Sequence, residues 1–216
     1  MCYAFSLRSD PSGDKGYTVV AFGGRDWKTS HNIRPGELHP IEKQAEPKQL
    51  TLALWTFAPH WMPDAKKGVI NARGETLATK PYFRQAFKNM RCAIPSDGFF
   101  EFAKFGEERK PYFFHLPNNE RFMFAGVFDE LPDKDGLLGF AIITTVPNEL
   151  VAKVHDRMPA MLTPAEADVW VAGETPADQL QSLLRPYPAD AMRMVGVGKI
   201  ANNPRAKGPE VIAPLA

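Results

Sequence analysis

Residues 91–102 read Arg91-Cys92-Ala93-Ile94-Pro95-Ser96-Asp97-Gly98-Phe99-Phe100-Glu101-Phe102. Two apolar runs flank Ser96-Asp97-Gly98. That triplet turns a chain, because Asp bonds back to nearby backbone and Gly accepts backbone angles other residues avoid. The stretch therefore predicts strand, turn and strand, and it sets the class for its surroundings. Downstream, residues 111–116, 121–128 and 137–146 are further strand candidates, separated by turns at Pro117-Asn118-Asn119 and Asp133-Lys134-Asp135-Gly136. Upstream, residues 1–7 and 17–22 are strands split by Asp10-Pro11-Ser12-Gly13-Asp14, and residues 50–57 and 192–197 complete the set. An antiparallel or mixed sheet is expected, with the N-terminus pinned in it.

Helices are short and come mostly late. Thr79 with Pro81 opens one through about Met90. Thr163-Pro164-Ala165-Glu166 places a capping threonine, a first-turn proline and an N3 glutamate before an apolar run, and Thr175-Pro176-Ala177-Asp178 repeats the arrangement with aspartate. Three polar or Pro-rich stretches read as loops: His31 to Gly36, Pro59 to Pro63 and Asn71 to Thr76. The tail from Asn202 is rich in Asn, Gly and Pro.

Nothing in the 216 residues suggests a linker, so one domain over 1–216 is expected. Hydrophobic residues at 44% and charged residues at 24% are those of a soluble globular protein. No apolar run reaches the roughly 18 residues of a membrane span, and no secretory signal is read at the N-terminus. A cytoplasmic protein without a membrane partner is expected. Cys2 and Cys92 make no disulfide framework, and His31, His39, His60, His115 and His155 lack metal-motif spacing, so neither metal nor cofactor is expected. The net charge of +1 does not announce a nucleic-acid binder. Lys66, Lys67, Arg73, Lys80, Arg84, Lys88 and Arg91, with only Asp64 and Glu75 opposing them, would build one positive face; an ordinary solvated surface is the alternative.

Several residues carry chemistry of their own. If Met1 is removed, Cys2 presents an α-amine and a thiol on neighbouring carbons, and the amine, near pKa 7.7–8.0, is partly neutral at physiological pH. The plain alternative is a cysteine that happens to follow the initiator. Glu101 lies among Phe99, Phe100 and Phe102, where partial desolvation raises a carboxyl toward the range useful for proton transfer, unless the side chain faces solvent. His155, in His155-Asp156-Arg157-Met158-Pro159, is either structural or held at the edge of a cleft. The amide of Asn71 is a further candidate. Trp61, in the Pro59 to Pro63 loop, either stacks on a base or packs inward. Arg73 and Arg157 suit phosphate, because a guanidinium fork matches its oxygens.

Taken in order, Met1-Cys2, Asn32-Ile33-x-Pro35-Gly36, Ala58-Pro59-x-Trp61, Asn71-Ala72-Arg73-x-Glu75-Thr76, residues 91–102, His155 to Pro159 and Asn202-Asn203 resemble the SRAP (SOS response-associated peptidase) family of abasic-site crosslinking proteins. The resemblance runs over essentially the whole chain. It implies an α+β fold, a single domain on an antiparallel or mixed, barrel-like sheet with short peripheral helices. It also implies covalent capture of abasic sites in single-stranded DNA by Cys2, as an imine and then a thiazolidine, in a monomer associated with the nucleoid when bound to DNA. Asn71 would orient the reacting groups, and Glu101 and His155 would move protons. Arg73 and Arg157 would contact phosphate, Trp61 would wedge against a base, and Pro35 and Thr144 would line the DNA groove. The chain departs from the family's usual Cys-Gly-Arg-Phe start with Cys2-Tyr3-Ala4-Phe5, has Arg34 where alanine is common, and has Met62 where a second tryptophan occurs. An N-terminal-cysteine peptidase or amidase, and a DNA-binding module that does not crosslink, are the competing functions.

Overall fold

The computed structural model describes residues 2–13, 17–20, 27–62, 68–106, 108–132, 134 and 136–215. Met1, Ala21 to Gly24, Pro63 to Lys67, Asp133 and Asp135, on which parts of the sequence reading rest, lie outside them. In chain order the strands are β1 (Ala4–Leu7), β2 (Thr18–Val20), β3 (Ser30–Ile33), β4 (Leu38–Lys43), β5 (Gln49–Leu54), β6 (Asn71–Arg73) and β7 (Arg91–Ser96). They continue with β8 (Gly98–Phe105), β9 (Glu108–His115), β10 (Phe122–Glu130), β11 (Leu138–Thr145), β12 (Met158–Pro159), β13 (Met161–Leu162) and β14 (Arg193–Gly196). The helices are α1 (Pro81–Asn89), α2 (Pro164–Val171) and α3 (Ala177–Leu183). The fold is α+β.

The larger sheet closes on itself. β4 pairs with β5 and β7, β7 with β10, and β10 with β11, all antiparallel; β11 then returns alongside β5 in a parallel pairing, Leu138 opposite Ala53. At that seam the backbones come so close that a Cβ on Gly139 would lie 2.2 Å from the Thr56 carbonyl oxygen. Side-chain alternation sorts the wall. Cys92, Ile94, Phe124, Phe140 and Ile142 join Phe5, Leu7 and Trp55 in one core, while Ala93, Ala125, Val127, Ala141 and Ile143 face the helices in another. The small outer residues let Phe83 and Phe87 of α1, Trp170 of α2, and Leu180 and Leu183 of α3 lie against the ring. Each fully buried side chain of this kind contributes roughly 1.5–3 kcal/mol.

The second sheet runs β14-β9-β8-β1-β3. The turn read at Ser96-Asp97-Gly98 is the corner between the two sheets, since β7 ends at Ser96 in one and β8 starts at Gly98 in the other. Asp97 ties that corner to β1: its carboxylate accepts from the Ser6 hydroxyl at 2.5 Å and from the Arg8 N–H at 2.7 Å. The chain just before Ala4 is thereby fixed beside Glu101, because Ala4 stands opposite Phe100 and Phe5 opposite Phe99.

Four sequence readings are corrected. The stretch from His31 to Gly36, read as a loop, holds the end of β3, and Asn71-Ala72-Arg73 is a strand paired in parallel with β11. Thr163 forms the full capping box expected, but α3 is capped at Pro176, and the Thr175 hydroxyl donates instead to the Val169 carbonyl at 2.7 Å. Arg91 belongs to no positive face: it is 1% exposed, and its guanidinium donates to the carbonyls of Phe87, Lys88, Trp170 and Ala172, tying the ends of α1 and α2 together.

Candidate functional site

A cleft of about 780 Å³ opens where the two sheets meet. β6 supplies Asn71 and Arg73, β8 supplies Glu101 and Phe102, β11 supplies Thr144, and the segment entering β12 supplies His155, Asp156 and Arg157. Pairing explains the convergence: Arg73 is opposite Thr144 across β6 and β11, and Thr144 is opposite Pro159 across β11 and β12. Tyr3, Arg34, Glu108, Arg109, Lys199 and Asn202 complete the wall. Lys199 and Glu108 pair at 2.6 Å, which leaves Arg34, Arg73 and Arg109 to give the cleft a basic cast.

Cys2 lies behind this wall. It is fully buried, its Sγ is 3.5 Å from the Ala4 carbonyl, and its own carbonyl accepts a hydrogen bond from Asn71 Nδ2 at 2.9 Å. Burial, with the Glu101 carboxylate adding to it, pushes the thiol well above the ordinary thiol range. The sulfur is therefore a neutral thiol and a poor first nucleophile. Asn71 Oδ1 is buried with no hydrogen-bond partner among the described residues, so the amide has an acceptor in reserve beside Cys2.

Glu101 is 1% exposed, and burial lifts its carboxyl to about 7. Near neutral pH it holds acid and base forms in similar amounts. His155 Nδ1 lies 3.0 Å from the Arg157 backbone nitrogen and 2.9 Å from Asp156 Oδ1, so it accepts the N–H in one tautomer and donates to the carboxylate in the other. Burial lowers the His155 pKa and favours the neutral ring. Among the described residues no group of three or more His, Cys, Asp or Glu side chains is placed to hold a metal.

The expected phosphate contacts differ from one another. Arg73 is exposed at the cleft wall. Arg157 is engaged within the protein: Nη1 and Nη2 grip the two Glu75 oxygens at 2.5 and 2.8 Å, and Nη2 also donates to the Thr144 carbonyl at 2.7 Å. That grip holds the Glu75 carboxyl below its usual range. Thr144 lines the cleft with its hydroxyl donating to the Ala72 carbonyl at 3.3 Å. Pro35 and Trp61 lie outside the lining. Pro35 is half-buried, and Trp61 is 47% exposed on a loop anchored by His60, whose N–H and ring meet the buried Asp129 carboxylate at 3.1 and 3.0 Å. Sequence reasoning named neither Glu75 as a partner of Arg157 nor Arg109 and Lys199 as wall residues. Glu75 was visible as an acidic exception in a basic segment and as part of the motif from Asn71 to Thr76, without a partner named for it, and the other two carry no local signal.

Residues 1–204 match the profile of the family described as SOS response associated peptidase. This chain belongs to the SRAP family. It is 37% identical over 194 residues to the Bacillus subtilis abasic site processing protein YoqW, covering 87% of each chain, and 34% identical over 221 residues to the Bacillus subtilis abasic site processing protein YoaM, covering 98% and 97%. A solved structure from Bacteroides thetaiotaomicron superposes with a TM-score of 0.87 over 100% of both chains at 24% identity, and so shares the fold. Among the described residues no helix is long and apolar enough to cross a membrane.

Proposed function

We propose that this protein processes abasic sites in DNA, and that it does so by covalent capture through Cys2 once Met1 has been removed. The observation that carries the proposal is the placement of Cys2: its carbonyl is held by Asn71, and its surroundings include the raised carboxyl of Glu101, beside a basic cleft. The relatives' names supply the substrate class. The preference for single strands belongs to the proposal.

The chemistry follows from the protonation states. An abasic sugar opens to an aldehyde when a proton reaches the ring oxygen and one leaves the anomeric hydroxyl, and Glu101 near pKa 7 can give one and take the other. The Cys2 amine, the better first nucleophile because the thiol is neutral, adds to the carbonyl carbon. Loss of one water gives the imine. The thiol then adds to the imine carbon, its proton goes to nitrogen, and a thiazolidine results. The net change is aldehyde plus aminothiol giving ring plus water. The second addition is intramolecular, which is the source of large effective molarities. His155, its pKa lowered toward the neutral ring, is the second proton carrier. Arg73 and Arg109 hold phosphate at the cleft, and Arg157 stands beside them with its fork occupied by Glu75, free to meet a phosphate once that carboxylate is removed. Trp61, more remote, serves a base farther along the strand, past Pro35.

The test is incubation of the processed protein with a single-stranded oligonucleotide carrying one abasic site. A species that survives denaturation and is lost in Cys2→Ala supports the proposal. Turnover of peptide bonds with no such species would favour instead the peptidase activity in the family's name, and salt-sensitive binding unaffected by Cys2→Ala would favour a simple binding module.

A further inference from the structure

Tyr3 breaks the pattern of its neighbours. Cys2 and Phe5 belong to the same core although they are three residues apart, so the strict alternation of a strand does not extend back from Ala4 to Cys2. The chain turns there, Cys2 goes inward, and Tyr3 goes outward. It is 53% exposed, it lines the cleft, and among the described residues no other ring packs on it.

We propose that Tyr3 stacks on the base immediately next to the abasic nucleotide. This rests on the reading of the cleft as an abasic-DNA site. A missing base uncovers the faces of its two neighbours. Cys2 is the residue joined to the abasic sugar, and the Tyr3 Cα is about 3.8 Å from that of Cys2 along a trans peptide, a step similar to the spacing of stacked bases. The ring therefore falls within reach of one uncovered face and not of bases farther along the strand. Arg109 stands on the same wall to take a flanking phosphate, beside Arg34, whose Nε and Nη2 donate to Asn32 Oδ1 and the Ala201 carbonyl and which adds its charge. Base–aromatic stacking of this kind contributes roughly 1–3 kcal/mol per base and tolerates any base, because each presents a π-face.

The experiment uses oligonucleotides carrying a tetrahydrofuran abasic analogue, which cannot form an aldehyde, with 2-aminopurine placed on one side of it or the other. Wild-type protein is expected to quench the fluorophore on one side. Tyr3→Ala is expected to remove the quenching and weaken binding roughly 5- to 100-fold, while Tyr3→Phe retains both. Equal quenching and affinity in wild type and Tyr3→Ala would overturn the inference while leaving DNA binding intact. Tyr3→Phe behaving like Tyr3→Ala would also overturn it, because the hydroxyl and not the ring face would then be the contact. Failure of wild-type protein to bind the analogue or any abasic strand would overturn the reading of the cleft itself.

Discussion

The Asn71 side-chain amide donates to the Cys2 main-chain carbonyl at 2.9 Å, joining β6 to the residue ahead of β1 across 69 positions of sequence. This bond fixes where the Cys2 nitrogen and sulfur sit relative to the cleft. A neutral hydrogen bond contributes about 1 kcal/mol net. Asn71→Ala is therefore expected to slow single-turnover capture of abasic DNA by about fivefold while the melting temperature changes by only a few degrees. Rapid-quench kinetics and thermal unfolding on the same samples check the pair.

Glu101 links pH to both stability and rate. Its carboxyl is raised to about 7 in the folded protein, so the native state holds a proton that the unfolded chain releases near 4.5. The native state binds more protons in that window, and stability must fall as pH rises from about 4.5 through about 7, by an amount on the order of 3 kcal/mol. Urea denaturation at pH 5 and pH 8 is expected to show a smaller loss in Glu101→Gln. The wild-type capture rate is expected to bend near pH 7, and that bend should be missing from the variant.

Arg157 and Glu75 predict an effect of opposite sign to most site mutations. Glu75 occupies the guanidinium fork that would otherwise meet a phosphate, and with 46% of its side chain exposed it contributes at most about 1 kcal/mol to the fold. Glu75→Gln should tighten binding to a single strand and steepen the plot of log affinity against log salt by about 0.7, one additional phosphate contact. Arg157→Ala should leave that slope no steeper than in wild type. Fluorescence anisotropy titrations over a range of potassium chloride concentrations decide it.

Arg91 belongs to the fold and not to the site. Its substitution by Leu would leave four carbonyls at the ends of α1 and α2 without their donor. A loss of about 3 kcal/mol or more in urea denaturation is expected, with unchanged DNA affinity for the molecules that remain folded.

What the sequence made legible follows from where each signal resides. The corner at Ser96-Asp97-Gly98, the strands around it, α1 and the capping box at Thr163 are local, and each is written in adjacent residues. β4 was not, because Pro40 and charged Glu42 argue against a strand; Glu42 is tolerated inside since its carboxylate accepts from the Tyr17 hydroxyl and the Lys48 N–H, both at 2.8 Å. β3 hides in the same way: Asn32 is buried because its Nδ2 donates to the carbonyls of Asn203 and Ala206, more than 170 residues on. β6 has three residues and is a strand only because β11 runs beside it. The closure of β5 on β11 and the pairing of Arg157 with Glu75 likewise depend on contacts between distant segments. Cys2, Asn71, Glu101 and His155 could be singled out by residue chemistry, but their convergence came from the fold, and with it came the burial of the Cys2 thiol.

The measurement that bears most directly on the account is the intact mass of the product formed with an abasic oligonucleotide in the absence of borohydride. The expected mass is that of the protein without Met1 plus the oligonucleotide minus one water, and Cys2→Ala should give a covalent product only when borohydride is present to reduce the imine to an amine, heavier than the imine by two hydrogens. A borohydride-independent adduct in Cys2→Ala, or an adduct that still carries Met1, would contradict capture by the aminothiol of Cys2.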